Sequence, residues 1–155
     1  MAAVGYWAGY AGAAVSLKAW AAQSADKTCP PVATWRDKDA LLTELAEDMA
    51  GRTPSAIVIG ALGRVGTGAA DLCEAMGVSP TRWDMAETQS GGPFPEILDH
   101  DLFFNCILAR PGTPQFVPRS AVGAARRLSV IGDIACDPDS DYNPIPIYDA
   151  ATTWA

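Results

Sequence analysis

Apolar positions along the first third of this chain follow a helical period. From Gly5 to Ala22 they are nearly continuous and rich in alanine, which predicts a helix buried on most sides rather than an amphipathic one. Gly9 and Gly12 within that run would let another helix or a sheet come close. A helix apolar nearly all round needs cover on more than one face, so the run also predicts exposed apolar surface unless further chain covers it. Ser24–Asp37 is a polar break, and Cys29-Pro30-Pro31 stops regular structure there. Leu41, Leu42, Leu45 and Met49 then recur at helical spacing and predict a second helix over Lys38–Ala50, with Asp37 placed to cap it and Gly51 to end it.

After Pro54 the period changes. Ala56–Ile59 is a short, largely β-branched run of the kind that forms a buried parallel strand. Gly60, Gly63 and Gly66 follow, then a helical stretch over Thr67–Met76 that ends at Gly77. A second strand is predicted over Arg82–Met85, a short helix over Pro95–Asp99, a third strand over Asp101–Leu108, a short helix over Arg119–Ala125 and a fourth strand over Leu128–Ile134. The loop Asp139–Pro146 and an apolar tail close the chain. Strands alternating with helices predict an α/β fold, a doubly wound Rossmann-type parallel sheet with flanking helices. Residues 1–53 form a helical lead-in packed on a nucleotide-binding unit over 54–155, the two making one structural domain.

The glycine run carries the first chemistry. A strand that turns through glycines into a helix leaves backbone N–H groups unpaired at the positive end of that helix, which suits a pyrophosphate. Gly60 would allow the tight turn, Gly63 the approach of phosphate to backbone, and Gly66 close packing of helix on strand. Asp84 lies 24 positions after Gly60, at the end of the second strand, where a carboxylate accepts hydrogen bonds from ribose hydroxyls. The spacing Gly-x-x-Gly-x-x-Gly departs from the commoner Gly-x-Gly-x-x-Gly, and a glycine-rich turn that binds nothing is the competing reading. No Gly-Lys-Ser/Thr follows, which excludes a Walker-type phosphate loop. A carboxylate at Asp84 would repel a 2′-phosphate and favours NAD over NADP, although Arg64 and Arg82 lie close enough in sequence to soften that inference.

Composition narrows the classes. The 155 residues carry a formal charge of −7, with Arg126-Arg127 the one adjacent basic pair, which argues against a nucleic-acid partner. The Gly5–Ala22 run has no basic region before it and is interrupted by Lys18, so neither a signal peptide nor a membrane span is expected. Cys29, Cys73, Cys106 and Cys136 form no Cys-x-x-Cys, and with a single histidine they complete no recognisable metal site; buried thiols in a reducing cytoplasm are expected. Thr88 lies one helical turn beyond Asp84 and could add a hydroxyl there, or be a solvated turn residue. Asn105 and Cys106, and then Asp133 and Asp137, fall at carboxyl ends of strands, where doubly wound sheets keep their ligands. Cys106 has no histidine nearby and is read as a packing thiol beside the cofactor, and His100 as a surface or capping residue. A cofactor site is legible, while no acid–base pair is.

Several segments together resemble one family. Gly60–Ala69, Arg82–Thr88, Gly91–Phe94, Phe104–Ile107 and Asn143–Tyr148, with Gly5–Ala14 as the segment leading into the cofactor domain, are similar to the NAD-dependent, lysine-forming saccharopine dehydrogenases; alanine dehydrogenases and transhydrogenases share the glycine run as wider kin. The resemblance implies an enzyme of lysine biosynthesis that oxidises saccharopine with NAD and releases lysine and 2-oxoglutarate. It implies a cofactor site of Gly60, Leu62, Gly63, Arg64, Val65, Gly66, Asp84, Met85, Thr88, Cys106, Leu108 and Gly132, and substrate contacts at Val4, Asp133 and Ile134. Fungal members carry cysteine where Val65 stands, so any thiol pairing with Cys106 is lost here. The resemblance also implies that the family's catalytic lysine and histidine belong to sequence this chain does not contain. On that expectation the chain is the cofactor portion of a two-domain enzyme, inactive alone and partnered by the rest of it. An alanine-dehydrogenase-like domain and a non-catalytic NAD-binding module are the other two readings.

Overall fold

Four short strands, β1 (Ala56–Ile59), β2 (Thr81–Trp83), β3 (Leu102–Asn105) and β4 (Val130–Asp133), form one all-parallel sheet in the order β2-β1-β3-β4 in the computed structural model, which describes residues 2–153. The outer limits of the two predicted segments, Met1 and 154–155, lie outside the described residues. Ile59 pairs with Trp83 on one side and Asn105 on the other, and Asn105 pairs in turn with Asp133. The α/β doubly wound expectation is met. Passage from β1 to β2 runs one way along the sheet, while β2 to β3 and β3 to β4 run the other. Right-handed crossovers therefore place the first connection on one face and the later two on the opposite face.

That rule divides the core. Ala56, Val58, Leu102, Phe104 and Val130 face the helices α1 (Ala2–Ser24), α2 (Lys38–Met49) and α3 (Arg64–Ala75). Ile57, Ile59 and Phe103 face the other way, onto Phe94, Ile97 of the one-turn helix α5 (Pro95–Leu98), Phe116, Val117, Leu128 and Ile145. The alternation is the period-2 geometry of strands buried on both sides. Ile145 is fully buried, and Phe116 N–H and Val117 N–H both donate to the Pro144 carbonyl. Residues 143–148, expected as loop and tail, thus close the second face.

The first helix finds most of its cover inside this chain. Gly9 of α1 lies against α3, where an added Cβ would meet Val65 O at 1.9 Å; Gly68 of α3 answers with 1.9 Å to Tyr6 O. Gly12 abuts Ile134, beyond β4. Leu17, Leu41 and Leu45 join α1 to α2, and the buried Lys18 ammonium donates to Glu44 at 2.9 Å and to Asp48. The exposed surface predicted for α1 reduces, among its large apolar residues, to Val4 and Trp7 near its start. No helix among the described residues is long and apolar enough to cross a membrane.

Several boundaries move. α3 begins at Arg64 rather than Thr67, with Gly63 as its extended N-cap, so Gly66 and Gly68 lie inside the helix. β2 ends at Trp83, because Asp84 caps the short helix α4 (Met85–Thr88) that begins at once. β3 ends at Asn105, β4 spans only Val130–Asp133, and the Arg119–Ala125 helix is a single 3-10 turn over Arg119–Ala121.

The amino ends of the strands are tied by Asp101. Its carboxylate accepts from Ser55 N–H at 2.8 Å and from the Arg127 guanidinium at 2.9 Å, while its own N–H donates to the Ser55 hydroxyl. Burial pushes this carboxyl up, but Arg127 and Ser55 outweigh that and hold it below its ordinary range. A carboxyl depressed in the folded state stabilises above its unfolded value, near 3.9, and that stabilisation is lost as pH falls through the folded value. Asp101→Asn is expected to cost about 1–2 kcal/mol at neutral pH. Urea unfolding at a series of pH values should show the wild-type advantage shrinking as pH falls below the ordinary carboxylate range; an advantage independent of pH would contradict it.

Candidate functional site

The order β2-β1-β3 makes the connections run in opposite directions from β1, so the crevice of a doubly wound sheet falls between the carboxyl ends of β1 and β3. The glycine turn lies at its mouth. Gly60 has φ +93°, in the left-handed region, and an added Cβ would stand 2.7 Å from Cys106 O across the crevice. Gly60 N–H and Ala61 N–H both donate to Trp83 O, drawing the turn toward β2. At Gly66 a Cβ would lie 2.0 Å from Gly60 O, so the helix rests on the turn's own backbone. Gly63 is different: the nearest protein atom to a Cβ there is Gly60 O at 3.6 Å, and the position is exposed. As N-cap of α3 it offers no side chain to the first N–H groups of a twelve-residue helix. The two tight glycines shape the turn, and the open one leaves backbone and helix dipole facing solvent. This is a cradle that fits a pyrophosphate.

Asp84 is bound into that cradle. Its carboxylate accepts from Leu62 N–H at 2.9 Å and from Met85 N–H at 2.9 Å, and Glu87 completes a capping box by accepting from Asp84 N–H. An ionised carboxylate offers about four acceptor positions, so lone pairs remain for ribose hydroxyls. Thr88 is buried and its hydroxyl donates to Asp84 O at 3.1 Å, which makes it a support for the Asp84 turn. Arg82 extends to Glu74 at 2.6 Å, and Arg64 is exposed at the start of α3. Leu62, Met85 and Leu108 are 86 %, 67 % and 62 % exposed. These large apolar side chains stand open on segments leaving the carboxyl ends of β1, β2 and β3, as a flat heterocycle would require.

Cys106 lies behind this rim. Burial raises its thiol, as it does that of Cys73, to about 12, so neither is a nucleophile near neutral pH. Val65 is half-buried against Gly5 of α1. Gly132 lies on the α1 side of the sheet, where a Cβ would meet the Ser16 hydroxyl at 2.6 Å and Phe104 at 2.9 Å; its smallness serves helix packing in this structure. Val4 is 69 % exposed near the start of α1, while Ile134 packs against Gly12.

At the far end of the same edge stands a cluster that sequence reasoning found only in part. The Asn105 amide, buried at 1 % exposure, donates to Asp133 Oδ1 at 2.9 Å, and the Tyr148 hydroxyl donates to Asp133 Oδ2 at 2.5 Å. Burial, and then Asp133 itself, push the Tyr148 phenol far above its ordinary value, keeping it a donor. Tyr148 lies in the Asn143–Tyr148 segment, 15 residues from Asp133 in sequence, and only that segment's place in the family resemblance hinted at a role. Asp137 is exposed and sits in a turn, its carbonyl accepting from Ser140 N–H. His100 lies at the amino end of the sheet, between Thr81 and the Glu96 carbonyl, on the side opposite the crevice.

No family model matches the chain. Individual proteins do. It is 39 % identical over 167 residues to the saccharopine dehydrogenase (NAD(+), L-lysine-forming) of Yarrowia lipolytica. It is 41 % identical over 165 residues to the protein of that name from Neurospora crassa, and 38 % over 167 residues to that from Schizosaccharomyces pombe. Each match takes in 99 % of this chain and 44–45 % of the relative, so the chain spans a little under half the length of the curated relatives it matches. With that likeness running through the glycine turn, the Asp84 cap and the Asn105–Asp133 edge alike, the chain belongs to the saccharopine dehydrogenase family.

Proposed function

We propose that this chain is the NAD-binding portion of a saccharopine-dehydrogenase-like oxidoreductase. The observation that carries the reading is the joined pair of features at the β1 turn: an uncapped α3 N-terminus over the open Gly63, hydrogen-bonded through Leu62 N–H to the Asp84 carboxylate. Gly60–Gly66 would receive the pyrophosphate, Asp84 the adenosine ribose, and Leu62, Met85 and Leu108 the flanking faces of the dinucleotide, with Arg64 at the phosphates. Bound NAD would supply the hydride acceptor. The relatives' names support NAD as the nucleotide and saccharopine as the substrate of the whole protein.

Acid–base work on the substrate is assigned to the remainder of a longer protein, in keeping with relatives about twice this length. Lys18 is buried in its ion pairs with α2, and the sole histidine stands at the wrong end of the sheet. Those same two facts favour a second reading, a binding module without chemistry.

Titration of the chain with NADH, followed by calorimetry and tryptophan fluorescence with NADPH as the control, tests the nucleotide site. NADH binding that exceeds NADPH binding is expected. A folded, monodisperse sample that binds neither would refute the proposal. Assay of the longer protein with saccharopine and NAD separates the enzyme from the module.

A further inference from the structure

The proposed nucleotide has a direction. With the adenosine ribose at Asp84 after β2 and the pyrophosphate beside β1, its other half extends across the carboxyl ends of β3 and β4. There Asp133 holds its carboxylate between two neutral donors, the Asn105 amide at 2.9 Å and the Tyr148 hydroxyl at 2.5 Å. The ion pairs among the described residues involve Lys18, Arg36, Arg82 and Arg127, and none includes Asp133. Its orientation is therefore fixed at both oxygens while no cation cancels its charge. Beside it lies a cavity of about 480 Å³ walled by Ile131, Ile145 and Ile147. An anchored, uncancelled carboxylate next to apolar walls attracts a planar cation that is poorly hydrated.

We infer that Asp133, aimed by Asn105 and Tyr148, selects the oxidised form of the cofactor by its charge. The nicotinamide ring is cationic when oxidised and neutral when reduced, and the two forms otherwise present the same nucleotide. A fixed anion at that end discriminates between them, whereas the glycine turn and Asp84 cannot. This inference rests on the nucleotide-binding reading above and deepens it.

The test is the ratio of NAD⁺ to NADH affinity, measured by calorimetry on the full chain, with circular dichroism as the check on folding. Asp133→Asn is expected to weaken NAD⁺ binding about tenfold while changing NADH binding less than about twofold. Tyr148→Phe keeps the charge and should retain most of the wild-type ratio; Asp133→Glu should restore it. Asp133→Ser serves the same comparison if the asparagine variant does not fold. A ratio unchanged in the neutral variants, whether both affinities hold or both fall together, would overturn the inference and leave the nucleotide site standing. Failure of the wild type to bind either nucleotide would instead sink the nucleotide-binding reading, and this inference with it.

Discussion

Gly68→Ala is expected to destabilise the protein by about 3 kcal/mol, at the upper end of what overpacking costs. The added methyl would fall 1.9 Å from Tyr6 O, 2.9 Å from Tyr6 C and 3.0 Å from Tyr10 N. All three are backbone atoms of α1, so no rotamer change relieves the contact. Gly9 faces Val65 O and Ala69 N in the same way from the other helix, which makes the crossing a reciprocal backbone-to-backbone contact. Separating the helices would open gaps around Tyr10, Ala13, Ala14 and Ala69, all buried against one another's helices or the sheet. Alanine's better helix propensity offsets only about 1 kcal/mol of this. Gly123→Ala is the control, because nothing lies within 4 Å of its Cβ position and its φ is ordinary; it should change stability by less than about 0.5 kcal/mol. Equal urea midpoints for Gly68→Ala and wild type would show that α1 does not dock on α3 as described.

The same glycines explain what could be read in advance. Gly66 and Gly68 look like residues that delay a helix, and the sequence pattern starts α3 at Thr67. Their missing side chains instead admit the Gly60 carbonyl and the α1 backbone, a tertiary gain that outweighs local propensity. β1 was legible because Ala56–Ile59 is a buried run with Pro54 and Gly60 at its ends, and α2 because Asp37 caps it through Ala40 N–H. β3 is shorter than its apolar run predicts: after Cys106 N–H reaches Ile59 O, the Asn105 side chain accepts from Ile107 N–H and the chain leaves the sheet. Residues 143–148 defeated periodicity altogether, since two prolines remove the donors and φ freedom from which any period is recognised. Their burial depends on partners such as Phe116 and Asp133, which lie elsewhere in the sequence. In the candidate site the glycines and Asp84 announced themselves through local backbone demands. Tyr148 did not, because its role is set only by where Asp133 stands.

Asp84→Ala carries the largest expected effect on binding, a loss of NADH affinity of about 30-fold, or about 2 kcal/mol, the range for hydrogen bonds to an ionised group. Two losses contribute. One is the acceptor for ribose hydroxyls. The other is the tie from Asp84 to Leu62 N–H, together with the α4 cap through Met85 N–H, which hold the glycine turn in place. Asp84→Asn separates them, since its amide oxygen can still accept from one of those N–H groups while the negative charge is gone. NADPH provides the sign. The wild-type carboxylate repels a 2′-phosphate, so neutral variants should lose NADH affinity while NADPH affinity holds or rises. Arg82 does not cancel that repulsion in this structure, because its guanidinium is paired with Glu74 at 2.6 Å. Glu74→Ala should accordingly release Arg82 and add to the NADPH gain of Asp84→Asn, with little effect when Asp84 is intact. Equal losses for both nucleotides on Asp84→Ala would mean that the residue acts through the turn alone, and the ribose would then need another acceptor at the end of β2.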